Sequence, residues 1–275
     1  MERDMTVGTP WKIILNFTIP IVIGNIFQQF YSMVDTVIVG KFVGTKALAA
    51  VGSTGTIGFL ILGFLMGLTA GFTVLTSQRF GAGDMPGMRK TVGSAAVLSV
   101  IVSVVMTVIS MAFMKPLLIL MNTPEDIFQD AYKYIMIICA GIFTQVMYNL
   151  LAGILRALGN SKTPLYFLVT SAFLNIFGDL FFVVVLRWGV AGSAIATVCS
   201  EGLCCLLCGI YIKKKIPLLC LGKKWWVFDK SLLGKTVSYG STSAMQQVCL
   251  QLGKLIIQSV VNTQGVAVMA AFTAV

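Results

Sequence analysis

The chain has 275 residues; 57% are hydrophobic and only 11% charged, with a mean hydropathy of +0.91. A water-facing surface carries roughly 25% charged residues, so ten acids and twenty bases exclude a soluble domain of this size. Long unbroken apolar runs point to membrane helices and exclude a membrane barrel, which would alternate over segments of about ten residues.

Histidine is absent from the sequence. That removes histidine-based acid–base catalysis, histidine-containing triads and histidine-ligated metals. The cysteines are Cys139, Cys199, Cys204, Cys205, Cys208, Cys220 and Cys249. Cys205 and Cys208 have redox or metal spacing, but their segment is apolar and offers no polar partners. They read as small packing residues. The opening MERDMTVGTPWK mixes acids and bases and lacks a small-residue cleavage site after its apolar run. It is not a cleaved signal peptide.

Charged residues punctuate the chain and mark the ends of its spans. Six membrane helices are predicted: between Lys12 and Lys41, Lys46 and Arg79, Lys90 and Lys115, Lys133 and Arg156, Lys162 and Arg187, and Arg187 and Lys213. Each run is long enough for the roughly 20 residues that cross a bilayer. The first two are longer than that, which tilt accommodates. A basic stretch from Lys213 to Lys235 follows, with Trp225 and Trp226 beside lysines, as in a segment lying at the membrane surface. A seventh helix is predicted from about Lys235 to Val261 and an eighth from near Gly265.

Basic residues set the orientation. With a cytoplasmic N-terminus, fourteen of the twenty fall inside, including Arg79, Arg89, Lys90, Arg156 and Lys213 to Lys215; five fall outside and Lys254 lies within a span. That asymmetry places the N-terminus inside. The net charge of +10 then reads as basic loops against anionic lipid headgroups, with no nucleic-acid partner.

A repeat begins after the basic stretch. Gln28-Gln29 in helix one and Ala49-Ala50 in helix two recur as Gln246-Gln247 and Ala270-Ala271. Both units would start in the cytoplasm, so the repeat is parallel. The last apolar run, up to Val275, is about half of what crosses a bilayer. The expectation is therefore an all-α integral membrane protein of about twelve helices, of which this chain is a piece. Residues 1–212 would form a six-helix N-terminal lobe, 213–234 a cytoplasmic linker and 235–275 the start of a second lobe.

Only Asp35, Asp179 and Glu201 are acids within apolar spans. Ionisable groups there are costly and are functional candidates by default. At 1.5 Å per residue, Asp35 lies roughly 9 Å and Asp179 roughly 12 Å below the outer ends of their helices, and Thr197 roughly 15 Å down the returning helix. Asn175 lies one turn from Asp179, and Glu201 one turn from Thr197. Two carboxylates, an amide and a hydroxyl at one depth suit Na⁺ or H⁺ rather than a soft metal, and such a pair can hold one proton near neutral pH. Each residue could instead hydrogen-bond a neighbouring helix. Pro20, fifteen residues before Asp35, removes a backbone hydrogen bond and permits a kink in helix one. Lys254 has a plain reading as a snorkelling lysine.

These residues together resemble the multidrug and toxic compound extrusion (MATE) family of secondary transporters over nearly the whole chain. Pro20 followed by Asp35 is similar to the family's bending helix with its essential aspartate. Arg79-Phe80-Gly81-Ala82-Gly83-Asp84 resembles its loop after helix two, and Gly153-Ile154-Leu155-Arg156-Ala157-Leu158-Gly159-Asn160 its loop after helix four. Asn175, Asp179 and Thr197 resemble the N-terminal-lobe cation site of the prokaryotic branch. The resemblance implies an antiporter in the inner (plasma) membrane, not an enzyme. It would export amphipathic, often cationic, compounds in exchange for H⁺ or Na⁺ by alternating access. It implies no cofactor beyond the coupling ion, no metal beyond Na⁺ at Asp35, Asn175, Asp179 and Thr197, contact with membrane lipids, and a monomer when full length. Where some relatives carry an acid in helix seven, this sequence has Gln246, Gln247 and Gln251. The alternative is a flippase for lipid-linked glycans or lipids from a related superfamily branch. Two further rivals are a membrane acyltransferase, against which the absence of histidine and of clustered catalytic polar groups argues, and a channel, whose pore a midway proline and lone acids could line and which saturating, gradient-driven flux would exclude.

Overall fold

A computed structural model describes residues 8–121, 123–216, 219 and 230–262 of the chain. Trp225, Trp226 and the expected eighth helix lie outside the described residues, as does the side chain of Lys254. Among the described residues all regular structure is helical: α1 Pro10–Phe42, α2 Thr45–Gly81, α3 Met85–Leu120, α4 Glu125–Ala140, α5 Ile142–Ala157, α6 Lys162–Asp179, a π-helical turn Leu180–Val185, α7 Val190–Lys215 and α8 Lys230–Asn262. The reason is the solvent: in hydrocarbon each backbone N–H and C=O must be satisfied within its own segment. Large apolar side chains such as Val108, Leu120, Phe177 and Val185 accordingly face outward.

Five helices are long and apolar enough to cross a membrane, and α4 with α5 makes a sixth span. The six predicted spans are thus present, but two differ in detail. The fourth is broken at Gly141, where α4 and α5 meet at 45°. Gly141 packs so closely on Val198 of α7 that a side chain there would collide with it. The Thr144 hydroxyl also donates to the Gly141 carbonyl at 2.7 Å, and such back-bonding bends helices. The fifth span ends in the π-helical turn, with the Leu186 amide donating to the Phe181 carbonyl at 2.9 Å. Neither feature changes composition, so neither showed in the hydropathy pattern. α7 extends through Lys215, and α8 starts at Lys230, five residues before the expected seventh helix. α8 is more polar than the six spans.

Short turns fix the order of the spans. Gly44, with φ +118°, closes α1 as its amide donates to the Val39 carbonyl at 3.2 Å. The loop after α2 uses Gly83 at φ +72° and Asp84, whose carboxylate caps α3 by accepting from the Gly87 amide at 2.9 Å. Arg79 reaches the same carboxylate at 3.4 Å. Asn160, one residue before the α6 N-cap Ser161, likewise satisfies a first-turn amide, accepting from the Thr163 N–H at 3.1 Å. Both loops singled out in the sequence are therefore built as helix caps.

α2 lies at the centre, packed against α3, α4, α5 and α8, while α1 packs on α6 and α6 on α7. One apolar cluster joins Phe72, Met88, Leu150 and Leu155, and another joins Leu65, Met114, Leu118 and Ile142. The tightest approach is between α2 and α8. A Cβ at Gly67 would stand 2.6 Å from the Cα of Ala244, and one at Gly71 would strike the Tyr239 carbonyl. With lipid as apolar as any side chain, close backbone packing of small residues is what holds such helices together.

Candidate functional site

Three spans supply the site, and α1 is remote in sequence from the consecutive pair α6 and α7. α1 brings Asp35, α6 brings Asn175 and Asp179, and α7 brings Thr197; α1 packs on α6 and α6 on α7, which brings the three helices that carry these side chains together. Asn175 and Asp179 share a face because they are one turn apart, and both are buried, as is Asp35. The Asp35 and Asp179 carboxyls are close enough to influence one another electrostatically. The Asn175 amide donates to the Thr197 hydroxyl at 3.2 Å.

A fifth member is Ser193. It is fully buried, and its hydroxyl donates to Asp35 Oδ1 at 2.5 Å. The sequence did carry a signal for it: Ser193 is one turn before Thr197 on the same face of α7. The π-helical turn follows Asp179 directly; such turns occur mostly as local widenings of a helix and are frequent at functional sites.

Acceptors outnumber donors here. Both Asp179 oxygens and Asn175 Oδ1 are buried and find no donor among the described residues. Buried carboxylates are tolerated when paired or when they bind a cation, and every ligand available is a hard oxygen. The donor set fits one Na⁺ or one shared proton and does not fit a thiophilic metal. No cluster of three or more Cys, Asp and Glu ligands occurs among the described residues.

Glu201 stands apart from this group. It lies one turn further along α7, on the Lys215 side, where the Gln145 amide donates to its Oε1 at 3.2 Å. Pro20 lies within α1, which continues through it as one helix. Pro20 and Glu201 both line a small cavity of about 100 Å³ between α1, α5, α6 and α7. A much larger cleft, about 1030 Å³, opens between α2, α5 and α8 and is lined by Thr73, Asn149, Arg156, Gln246 and Gln247 among others.

Fold and interior together define a polytopic, all-helical membrane protein with a carboxylate pair sealed inside its bundle. Residues 20–181 match the MatE family model, and the chain belongs to that family, whose members are membrane transporters and not enzymes. The probable multidrug resistance protein YpnP of Bacillus subtilis (strain 168) is 33% identical over 99% of this chain and 61% of its own length. Crystal structures of a MATE in the bent and in the straight conformation each superpose with a TM-score of 0.89 at 27% identity, covering 97% of this chain and 60% of theirs. The chain thus spans about three fifths of the length of these relatives.

Proposed function

We propose that the protein is a secondary active antiporter of the inner (plasma) membrane, exporting amphipathic, often cationic, compounds in exchange for H⁺ or Na⁺. The observation that carries this reading is the Asp35–Asp179 pair, in which both Asp179 oxygens lack a donor among the described residues, inside a MATE-family bundle. In this reading the pair holds the coupling ion, with Asn175, Thr197 and Ser193 around it. An unloaded pair of carboxylates repels itself strongly away from water, so loading and unloading change which packing of α1 on α6 and α7 is favoured. Pro20 leaves α1 short of one backbone hydrogen bond, which gives this helix a point at which it can bend in response. Relatives crystallised in bent and straight conformations are in keeping with two packings of one bundle.

Residues 1–212 act in this account as one lobe, 213–234 as the linker and 235–275 as the start of the second. Alternating access then moves one lobe against the other. No organic cofactor takes part. The large cleft is of a size that accommodates a drug-like compound. The N-terminus is cytoplasmic. Single cysteines introduced at Gly83 and Lys162 are expected to react with an impermeant reagent only from the cytoplasmic side, and one at Trp188 only from outside; the opposite pattern would reverse the topology.

One observation favours the alternative of a lipid or lipid-linked glycan flippase: among the described residues, the charged one lining the large cleft is Arg156, a cation suited to an anionic headgroup. Binding decides between them. The purified full-length protein is expected to bind ethidium and not lipid II; saturable lipid II binding without ethidium binding would establish the flippase.

A further inference from the structure

Glu201 is the intramembrane acid that the Asp35 pair leaves unused. Its surroundings have a direction. Along one face of α7, Ser193, Thr197 and Glu201 follow at four-residue intervals, so Glu201 lies about 12 Å from Ser193 toward the Lys215 end. Ser193 and Thr197 are tied to the Asp35 group, whereas Glu201 is tied to Gln145 of α5. The small cavity that Glu201 lines shares Met66, Asn149 and Arg156 with the large cleft. Glu201 therefore lies beyond Ser193 and Thr197 along α7, on the wall of a cavity that adjoins the cleft.

The groups facing this cavity differ in what they can do. Tyr31 of α1, Tyr148 and Arg156 of α5 and Cys204 of α7 are the other titratable side chains on its wall, and α6 and α2 line it with uncharged residues. Asp35 is the nearest acid on α1. Arg156, at the junction with the cleft, is a fixed positive charge that disfavours a resting cation beside it. Glu201, with the Gln145 amide, is left as the group on this wall that can hold one. A cavity of about 100 Å³ has room for a small ion with a few waters, and falls well below the roughly 300 Å³ of drug-sized pockets.

We propose that Glu201 and Gln145 form a second station for a small monovalent cation, through which the ion held by Asp35 and Asp179 exchanges with the large cleft. The proposal rests on the reading of the Asp35 pair as the ion site. For H⁺, the O–H bond at the aspartate pair breaks, water accepts the proton and passes one on, an O–H bond forms at the Glu201 carboxylate, and the pair regains its full negative charge. For Na⁺, the ion exchanges oxygen ligands and no covalent bond changes. Glu201 is thus a relay for exchange, and equilibrium occupancy belongs to the pair.

The test separates rate from occupancy. Equilibrium binding of ²²Na⁺, and proton uptake after a pH jump, are measured on purified full-length protein. Ion exchange is measured in proteoliposomes with ²²Na⁺ and with an internal pH dye, which distinguishes the two ions. Glu201→Gln is expected to slow exchange by about tenfold or more and to leave occupancy of the pair intact, while Glu201→Asp retains most of the rate. Gln145→Leu keeps the carboxylate and is expected to slow exchange less; it serves if Glu201→Gln does not fold. Wild-type exchange in Glu201→Gln, or in Gln145→Leu where the first fails to fold, overturns the relay. Loss of equilibrium binding in Glu201→Gln also overturns it, because Glu201 would then belong to a single site. Unchanged equilibrium binding in Asp35→Asn is a different result: it removes the ion-site reading on which the relay rests.

Discussion

Asp35→Asn is expected to abolish gradient-driven transport while leaving the protein folded. The substitution keeps the side chain's shape and its capacity to accept from Ser193, which donates to Asp35 Oδ1 at 2.5 Å. It removes the charge that a coupling ion would neutralise. Flux of a cationic dye driven by an imposed ΔpH or Na⁺ gradient should fall at least about tenfold, the effect of a 1.4 kcal/mol loss in ion affinity. Asp179→Asn should do the same, since half a pair does not hold the ion. Thr197→Ala should be milder: it removes one neutral ligand and leaves the Asn175 amide, which donates to it at 3.2 Å, free to turn toward another acceptor. Proteoliposome flux with each variant measures this. Equal losses for Thr197→Ala and Asp35→Asn would contradict a site whose central feature is charge.

Gly71→Leu is expected to cause the largest loss of stability of any single change between α2 and α8. A Cβ at Gly71 would strike the Tyr239 carbonyl, and its contact is backbone rather than the end of a flexible side chain. The helices have to separate to admit the new atoms. Overpacking costs typically ~1–3 kcal/mol where side chains can adjust, and here they cannot. Gly58 is on the same helix with nothing within 4 Å of a Cβ placed there, so Gly58→Leu is the control. Thermal unfolding in detergent should drop by several degrees for Gly71→Leu and stay near the unsubstituted value for Gly58→Leu. Equal midpoints in the two variants would show that the α2–α8 contact does not hold the helices together.

The spans were legible because their ends are written in charge: Lys41 closes α1, Arg79 closes α2, and Lys213 to Lys215 close α7. Depth counting was enough to bring Asp35, Asn175, Asp179 and Thr197 to one level. That they share one interior depends on α1 packing against α6 and α6 against α7, which no local pattern encodes. Ser193 was legible in principle, one turn from Thr197, yet a buried serine in a helix of small residues carries no distinguishing mark until Asp35 is opposite it. The break at Gly141 was hidden for a different reason. Its cause is close packing on Val198, fifty-seven residues later in the chain, and a glycine in an apolar run looks the same with or without such a neighbour. The approach of α8 to α2 was hidden likewise; Gly67, Gly71, Gly240 and Ala244 have the right spacing, but spacing does not name the partner helix.

Ion release on substrate binding tests the central claim most directly. Purified full-length protein in lightly buffered or Na⁺-defined solution is mixed with a saturating cationic substrate, and H⁺ or Na⁺ appearing in solution is counted against protein. The account predicts that the unsubstituted protein releases a cation and that Asp35→Asn, still folded and still binding substrate, releases none. Release from Asp35→Asn equal to that from the unsubstituted protein would contradict the assignment of the coupling ion to the Asp35–Asp179 pair.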